Sequence, residues 1–455
     1  MIGKSAINAC LLLGAAIPTA GCGRQINIVK CWSNDPDARI TGCTALIQTG
    51  GYAANSLAAI YNNRGNAYDR KRDYDHAIQD FNQAIRLNQN FAAAYLGRGV
   101  TYYDKGDYDH AIQDFDGLIS LNPSNAPTNQ SHGLTPNKAT AYYYLGNAYQ
   151  SRGLAYDNKD DYDRAIKDYN DAIQGYDNAI RLNSNYAFAY YGRGLAYDRR
   201  GVENDNREDY SNAIRDYNEA VGLGPKNEGA YKSRGLAYNH EGQYDRAIQD
   251  LSDAIRLNPK DSVAYLSRGT AYIHEGDYDH AIQDFDETIR LNPKDVFAHQ
   301  ARGESYFLQS DMAAAISDFE NAISSAPSPR VEVFWVLTLH VAMKRQGRDD
   351  SRQLDQVAAV ADLSKWPGPI LKLDMGKTTA GEVITAASSP GDVRRIWHVC
   401  QANYFTGEDA LFHNQRAAAL VRLKAARDGC PKFDIDYVLA QAELKRLGVP
   451  SNPAQ

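Results

Sequence analysis

An Arg-Gly pair sets the strongest constraint on this chain, because its glycine returns at a spacing of 34 residues. Gly65 to Gly99 is 34 residues, and Gly235 to Gly269 and Gly269 to Gly303 are 34 each. The octapeptide YDHAIQDF recurs in phase with it, at Tyr74–Phe81, Tyr108–Phe115 and Tyr278–Phe285. A catalytic group is needed once, whereas a unit written repeatedly is a building block. About 34 residues cannot enclose a core of their own, so each unit must bury its apolar face against its neighbours.

Within one period, Val263–Asp295, the apolar positions carry helical spacing on two arms. Tyr265, Tyr272 and Ile273 lie on the first arm, and Ala281, Phe285, Thr288 and Ile289 on the second. Gly276 followed by Asp277 supplies a left-handed stop and an N-cap, and Pro293 closes the second arm. Gly269 and Ala281 are small where two helices must approach closely. The pattern G-x-x-Y, A-I-x-D-[FYL], A-I-x-L-x-P over about Leu57–Pro329 resembles the tetratricopeptide repeat, in seven units. The resemblance implies an all-α fold: a right-handed superhelical solenoid of helical hairpins with a divergent helical C-terminal cap.

Each unit repeats an arginine before the glycine and an aspartate after A-I-x. The pairs are Arg64/Asp80, Arg98/Asp114, Arg152/Asp168, Arg193/Asp216, Arg234/Asp250, Arg268/Asp284 and Arg302/Asp318. Each arginine arrives with its own carboxylate, which favours a helix-to-helix ion pair over a ladder for acidic ligands. Two units depart from the period. Gly99 to Gly153 is 54 residues, filled by the polar stretch Ala126–Asn137 and by doubled helix signals seven residues apart, at Leu145–Tyr149 with Arg152–Tyr156 and at Asn170–Ile173 with Asp177–Ile180. Seven residues keep the apolar face in phase and lengthen each arm by about 10 Å. These additions are expected to project at one edge, as repeat drift or as a partner-specific element. The fourth unit inserts Val202–Glu208. With Asp157–Asp161 this region is acidic, but neither stretch has EF-hand spacing, so both read as solvated loops.

The rest of the chain frames the array. The net charge is −7 with both signs mixed, which argues against nucleic acid as a partner. Residues 1–21 carry Lys4, an apolar run at Leu11–Ile17 and then small residues, the layout of a secretory signal. T-A-G-C before Cys22 resembles a lipobox, with Thr19 where that motif has Leu; lipidation of Cys22 and ordinary cleavage both remain open. Cys10 falls within the signal. Cys31 and Cys43 flank a short helix opening at Asn34-Asp35-Pro36, and Cys400 and Cys430 sit near the start and end of a helical hairpin. Two disulfides are expected in an oxidising compartment. The domain order read from this is 1–21 signal, 22–56 cysteine-containing segment, 57–329 repeats, 330–447 divergent helical region and 448–455 tail. In the divergent region Val331–Arg345 and Ser351–Leu363 read as helices, Thr379 with Glu382 as a capping box, Val393–Phe412 with Gln415–Asp428 as a hairpin, and Asp436–Leu447 as a final helix.

Function is read as non-catalytic. Neither H-E-x-x-H nor G-x-S-x-G occurs, and Gly376-Lys377-Thr378 lacks the upstream glycine of a phosphate loop, where Leu371 stands. No catalytic residue, cofactor or metal is expected. The resemblance implies that first helices line the inner face. By register the partner-binding groove comprises Phe188, Tyr191, Leu195, Lys232, His240, Leu266, Ile273, His274, Phe297, Gln300, Glu304 and Phe307. Such a groove suits an extended peptide or an amphipathic helix. Asn62 and Asn66 occupy two positions of the carboxylate clamp used by chaperone-binding repeats, but the lysine is missing. The signal, the cysteine pair and the tail (Trp366–Pro369, Cys400, Cys430-Pro431, Ala442–Gly448) resemble secreted or lipid-anchored bacterial proteins of this repeat class, and the architecture is similar to the new-lipoprotein-I group. That resemblance implies a periplasmic or lipid-anchored adaptor for envelope proteases, cell-wall hydrolases or assembly factors, touching the membrane only through an anchor. The alternative is a stoichiometric component of an envelope assembly or secretion complex.

Overall fold

The computed structural model describes residues 19–121, 137–159, 161–204, 207–324, 329–348, 351–389, 395–432 and 434–450. Residues 1–18, within the segment expected to be a secretory signal, the side chain of Cys22, the stretch 126–136 and residues 205–206 of the fourth-unit insertion lie outside them. The described residues form 23 α-helices. No helix among them is long and apolar enough to cross a membrane. The chain divides into two compact units, residues 1–200 and 201–455.

In the first unit, α1 (Thr19–Cys31) and α2 (Pro36–Thr49) make a hairpin joined by a Cys31–Cys43 disulfide. The hairpins α3 (Ala54–Arg70) with α4 (Tyr74–Leu87), α5 (Ala92–Asp104) with α6 (Tyr108–Ser120), and α7 (Lys138–Asp157) with α8 (Tyr162–Leu182) follow, and α9 (Ala187–Asn204) leads out. The octapeptide explains itself at the helix starts. Asp73 and Asp107 cap α4 and α6 by accepting the amides of His76 and His110. Each imidazole also stacks on the tyrosine one helix back, His76 on Tyr68 and His110 on Tyr102.

The 34-residue glycine is a socket for the aromatic that ends A-I-x-D-[FY]. A Cβ on Gly99 would lie 2.7 Å from the Phe115 ring, and one on Gly97 would lie 2.6 Å from that of Phe81. The seven-residue insertion writes this socket twice. Tyr169 faces Gly153 at 2.9 Å, while Tyr176 is clasped by Gly146 at 2.8 Å and Gly192 at 2.6 Å, measured from an added Cβ. Tyr169 and Tyr176 are both fully buried. The added turns of α8 are therefore packed, sharing an apolar cluster with Ala189 and Ala196 of α9, rather than standing free at an edge.

The second unit runs through α10 (Arg207–Leu223), the hairpins α11 (Glu228–Glu241) with α12 (Tyr244–Leu257), α13 (Ser262–Glu275) with α14 (Tyr278–Leu291), and α15 (Val296–Leu308) with α16 (Met312–Ser324), and then α17 (Pro329–Arg345). Gly276 at φ 80° ends α13, and Asp277 caps α14. The same socket recurs: a Cβ on Gly269 would come within 2.5 Å of the fully buried Phe285. Gly269→Ala is accordingly expected to destabilise this unit by roughly 1–3 kcal/mol through overpacking. Thermal unfolding checks this, and an unchanged midpoint would show that the hairpin opens without cost.

After α17 the chain forms α18 (Ser351–Ala358), α19 (Gly368–Asp374), α20 (Ala380–Ala387), the hairpin α21 (Arg395–Phe412) with α22 (Arg416–Gly429), and α23 (Ile435–Arg446). The expected helix to Leu363 stops at Ala358, because the chain turns back and Gly368 packs on the Leu363 backbone, 2.6 Å from where a Cβ would be. Thr379 and Glu382 form the capping box of α20. Cys400 is bonded to Cys430. Trp366 stacks on His398 and donates to Gln401 at 2.8 Å. One apolar core joins Phe307, Phe319, the buried face of α17, Tyr404, Leu423, Leu439 and Leu444. The divergent region is thus continuous with the repeats of its own unit.

Candidate functional site

The repeated arginines are structural. Arg64, Arg98, Arg152, Arg234, Arg268 and Arg302 each form a bidentate pair with the aspartate on their hairpin's second helix, with Nε–Oδ2 distances of 2.6–2.9 Å. The remaining guanidinium nitrogen reaches back to the preceding hairpin: Arg64 to Thr44, Arg98 to Asn82, Arg234 to Asn218, Arg268 to Ser252 and Arg302 to Asp286. Arg193 reaches Asp177 in the same way. One side chain therefore joins the two helices of its hairpin and stitches that hairpin to the one before it. Asn62 and Asn66 are buried, so they present no clamp.

The groove residues fall into two environments. In the first unit Phe188 is 61% exposed, while Tyr191 and Leu195 are half-buried. They adjoin a tyrosine cluster that register alone does not collect. Tyr143 on α7 meets Tyr144, Tyr176 and Tyr186 at ring-centroid distances of 5.3, 6.1 and 5.1 Å. Tyr103 on α5 joins it, bonding Ser151 on α7 at 3.1 Å. Tyr103, Tyr143, Tyr144 and Tyr186 are all half-buried. Burial pushes Tyr143 above the ordinary phenol range and Tyr186 up to about 12, so both stay neutral. The signal for this cluster was the run Ala141-Tyr142-Tyr143-Tyr144, three tyrosines at the start of the lengthened unit.

In the second unit the corresponding face is covered by the chain itself. Ile435, Tyr437 and Val438 of α23 share an apolar cluster with Leu266 and Ile273 of α13 and with Ala301 and Leu308 of α15. The Tyr244 hydroxyl donates to the Lys432 carbonyl at 2.8 Å. Ile273, Gln300 and Phe307 are buried. The Arg345 guanidinium lies over the Phe307 ring, 4.5 Å from its centroid. His240 stacks on Tyr210 and His274 on Tyr244. Lys232 is paired with Asp261 at 2.5 Å and Glu228 at 3.6 Å. Phe297 remains 56% exposed, edge-on to Trp335. Of the residues named for this unit, Phe297 is the one that presents a large apolar surface.

Two groups of buried charge lie under α23, and neither was anticipated. Arg345 bonds both oxygens of Glu408 at 2.9 Å and Glu443 at 2.6 Å. Burial pushes Glu408 up to about 7 against the pull of that arginine. Asp434 and Asp436 at the start of α23 form a buried pair whose side chains hydrogen-bond each other, and the charge of Glu304 on α15 acts on them. Burial raises Asp434 to about 6 and lifts Asp436 well above the usual carboxylate range, the latter also through the charges of Asp434 and Glu304. Partial burial beneath α23 raises Glu304 to about 7, with the charge of Asp434 adding to it. The Arg345 ion pairs are invisible to a periodic reading, since they span 63 and 98 residues.

Comparison with known proteins agrees with the repeat. Tetratricopeptide-repeat families match residues 58–91, 92–125, 146–174, 229–261 and 262–295. No curated protein matches the chain. Among solved structures, MamA is 28% identical, covering 45% of this chain and 93% of its own, with a TM-score of 0.34. YrrB, described as a TPR protein with an unusual peptide-binding site, is 20% identical over 49% of this chain and 97% of its own, with a TM-score of 0.37. A tetratricopeptide repeat protein from Parabacteroides merdae is 18% identical over 64% of this chain and 99% of its own, with a TM-score of 0.46.

Proposed function

We propose that this chain is a non-catalytic scaffold that holds peptide or helical segments of partner proteins against the tyrosine face of its first unit. Tetratricopeptide repeats mediate protein–protein interaction, and this chain carries them. The observation that carries the placement is the contrast between the two units: α23 covers the first-helix face of the second, while the first presents Phe188 and half-exposed tyrosines. Tyrosine gives large contact area with few rotatable bonds and a polar tip, which suits an anchor for amphipathic segments. Export to the bacterial envelope belongs to the same reading, supported by the two disulfides and the signal-like N-terminus. Envelope proteases, cell-wall hydrolases and assembly factors are the partner classes it brings forward. The mass of the mature protein tests the lipid anchor at Cys22, since an acyl increment is required by it.

The placement is tested by photocrosslinking in the native cell from position 191 and, separately, from position 266. Adducts are expected from 191 and not from 266. Phe188→Ala/Tyr191→Ala is expected to weaken partner binding at least about tenfold while leaving stability nearly unchanged, because both side chains retain solvent exposure. Adducts confined to position 266 would move the site to the second unit. Co-purification in a fixed molar ratio would favour a permanent structural component over an adaptor.

A further inference from the structure

Helix α1 buries one side against α2 and leaves the other to solvent. The inner side is fixed by the Cys31–Cys43 bond and by close packing: a Cβ on Gly42 would lie 2.6 Å from the Cys31 amide nitrogen and 2.7 Å from the Asn27 carbonyl oxygen. On the outer side Ile26, Ile28 and Trp32 are 39%, 41% and 52% exposed, and Val29 is half-buried. Trp32 continues the helical ladder, its amide donating to the Ile28 carbonyl at 3.3 Å. Twelve large apolar side chains are exposed among the described residues, and three of them fall within these seven positions. At about 100° per residue, Ile28, Trp32, Val29 and Ile26 follow one another around an arc of about 160°. They form one stripe, unlike apolar side chains scattered singly over a surface.

The charges beside this stripe have one sign. Arg24 lies about 40° beyond one edge and Lys30 about 40° beyond the other. Among the described residues neither pairs with a carboxylate; Arg24 donates Nε to the Tyr52 hydroxyl at 3.2 Å, its guanidinium 4.8 Å from the ring centroid. The chain carries −7 overall, yet no Asp or Glu occurs before Asp35. The first two carboxylates are engaged elsewhere: Asp35 caps α2 by accepting the amides of Asp37 and Ala38, and Asp37 pairs with Lys71 at 2.5 Å. Arg70 adds a cation beside the loop after Trp32, donating to the Asn34 carbonyl at 3.4 Å. An apolar stripe with a tryptophan at one end and cations on both sides, on an otherwise acidic molecule, complements a surface that is apolar within and anionic at its rim. The lipid–water interface is such a surface. With 13 residues, α1 is shorter than the roughly 20 that span a bilayer, so it fits the plane of the interface and not a crossing.

We propose that the face of α1 formed by Ile26, Ile28 and Trp32 docks flat on an anionic bilayer surface, with Arg24 and Lys30 reaching the lipid phosphates. The contact needs no acyl chain, so it is separate from an anchor at Cys22 and adds to one where it is present. The disulfide holds the stripe in place before lipid is met, which lowers the ordering cost of docking.

The test uses the mature chain with intact disulfides, made with Cys22→Ser so that no acyl chain contributes. It is titrated with vesicles of phosphatidylethanolamine and phosphatidylglycerol, or of phosphatidylcholine alone, and read by co-sedimentation and tryptophan fluorescence. Binding to the phosphatidylglycerol vesicles is expected, at least about tenfold tighter than to phosphatidylcholine and weakened by salt. Trp32 emission is expected to shift to the blue and to be quenched by brominated lipid. Ile28→Gln/Trp32→Gln is expected to weaken binding at least about tenfold, and Arg24→Gln/Lys30→Gln at least about fivefold. Ile28 and Trp32 are exposed, so the first variant should keep the parent's unfolding midpoint. No binding at millimolar phosphatidylglycerol-containing lipid would overturn the proposal. Undiminished binding by Ile28→Gln/Trp32→Gln would overturn it too, by placing the contact elsewhere. A parent that binds no lipid but sediments as a dimer, and returns to a monomer with Ile28→Gln/Trp32→Gln, would give this face to a second copy of the chain instead.

Discussion

Arg345→Met is expected to destabilise the second unit by about 3–5 kcal/mol, because it strands buried carboxylates. Glu408 is 1% exposed and, among the described residues, bonds only this arginine, through both oxygens at 2.9 Å. Glu443 is 3% exposed and keeps Arg446 as a second partner, so Glu408 bears most of the loss. Protonation moderates the cost: Glu408 already titrates at about 7 with the arginine present, and without it the carboxyl stays neutral at higher pH. The sign follows. In the variant, a raised carboxyl costs little below its unfolded pKa, and stability is lost as pH rises toward the folded value, so the deficit should be larger at pH 8 than at pH 5. Urea unfolding at the two pH values checks this. Arg345→Met/Glu408→Gln should recover a substantial part of the loss, because the stranded charge is gone. A single variant within about 1 kcal/mol of the parent at both pH values would show that the cluster is solvated rather than buried.

Phe307→Ala is expected to cost about 3–5 kcal/mol, the range for truncating a buried phenylalanine, and to leave partner capture by the first unit intact. Phe307 is 5% exposed, lies in the core shared by α16, α17 and α21–α23, and carries the Arg345 guanidinium over its ring. Phe297 stands on the same helix, yet Phe297→Ala should cost under about 1 kcal/mol, since it removes an exposed ring with one edge-on contact to Trp335. Chemical denaturation of both variants, with crosslinking yield from position 191, separates the two readings. Loss of capture with Phe307→Ala at temperatures where the second unit remains folded would return Phe307 to the partner surface.

The contrast between these two phenylalanines marks the limit of a register argument. Both occupy first-helix positions ten residues apart, about 80° around the helix, and a register argument places both in one groove. What covers Phe307 comes from α17 and from helices some hundred residues downstream, and local periodicity contains no term for it. The tyrosine cluster is an intermediate case. Tyr143 and Tyr144 were visible as a run, but their meeting with Tyr186 depends on how α7, α8 and α9 stack around the doubled socket at Tyr176. The arginines show the reverse. Arg268 and Asp284 are sixteen residues apart, as are the pairs of every other unit except the fourth, whose insertion makes it 23, so one hairpin geometry repeats the pair wherever the unit repeats.

The sequence by itself determined the helical hairpin, its 34-residue period, the Asp-His helix starts, the arginine–aspartate pairs and the two cysteine pairings, all of which depend on contacts within a unit or between adjacent helices. Tertiary structure alone decided which repeated face stays accessible. α23 lies on the first-helix face of its own unit, and Arg345 meets Glu408 and Glu443. Those choices rest on burial and charge contributed from distant segments. A period fixes how neighbours pack, but the energy of an unneutralised carboxylate or a covered ring depends on whatever the rest of the chain brings to it.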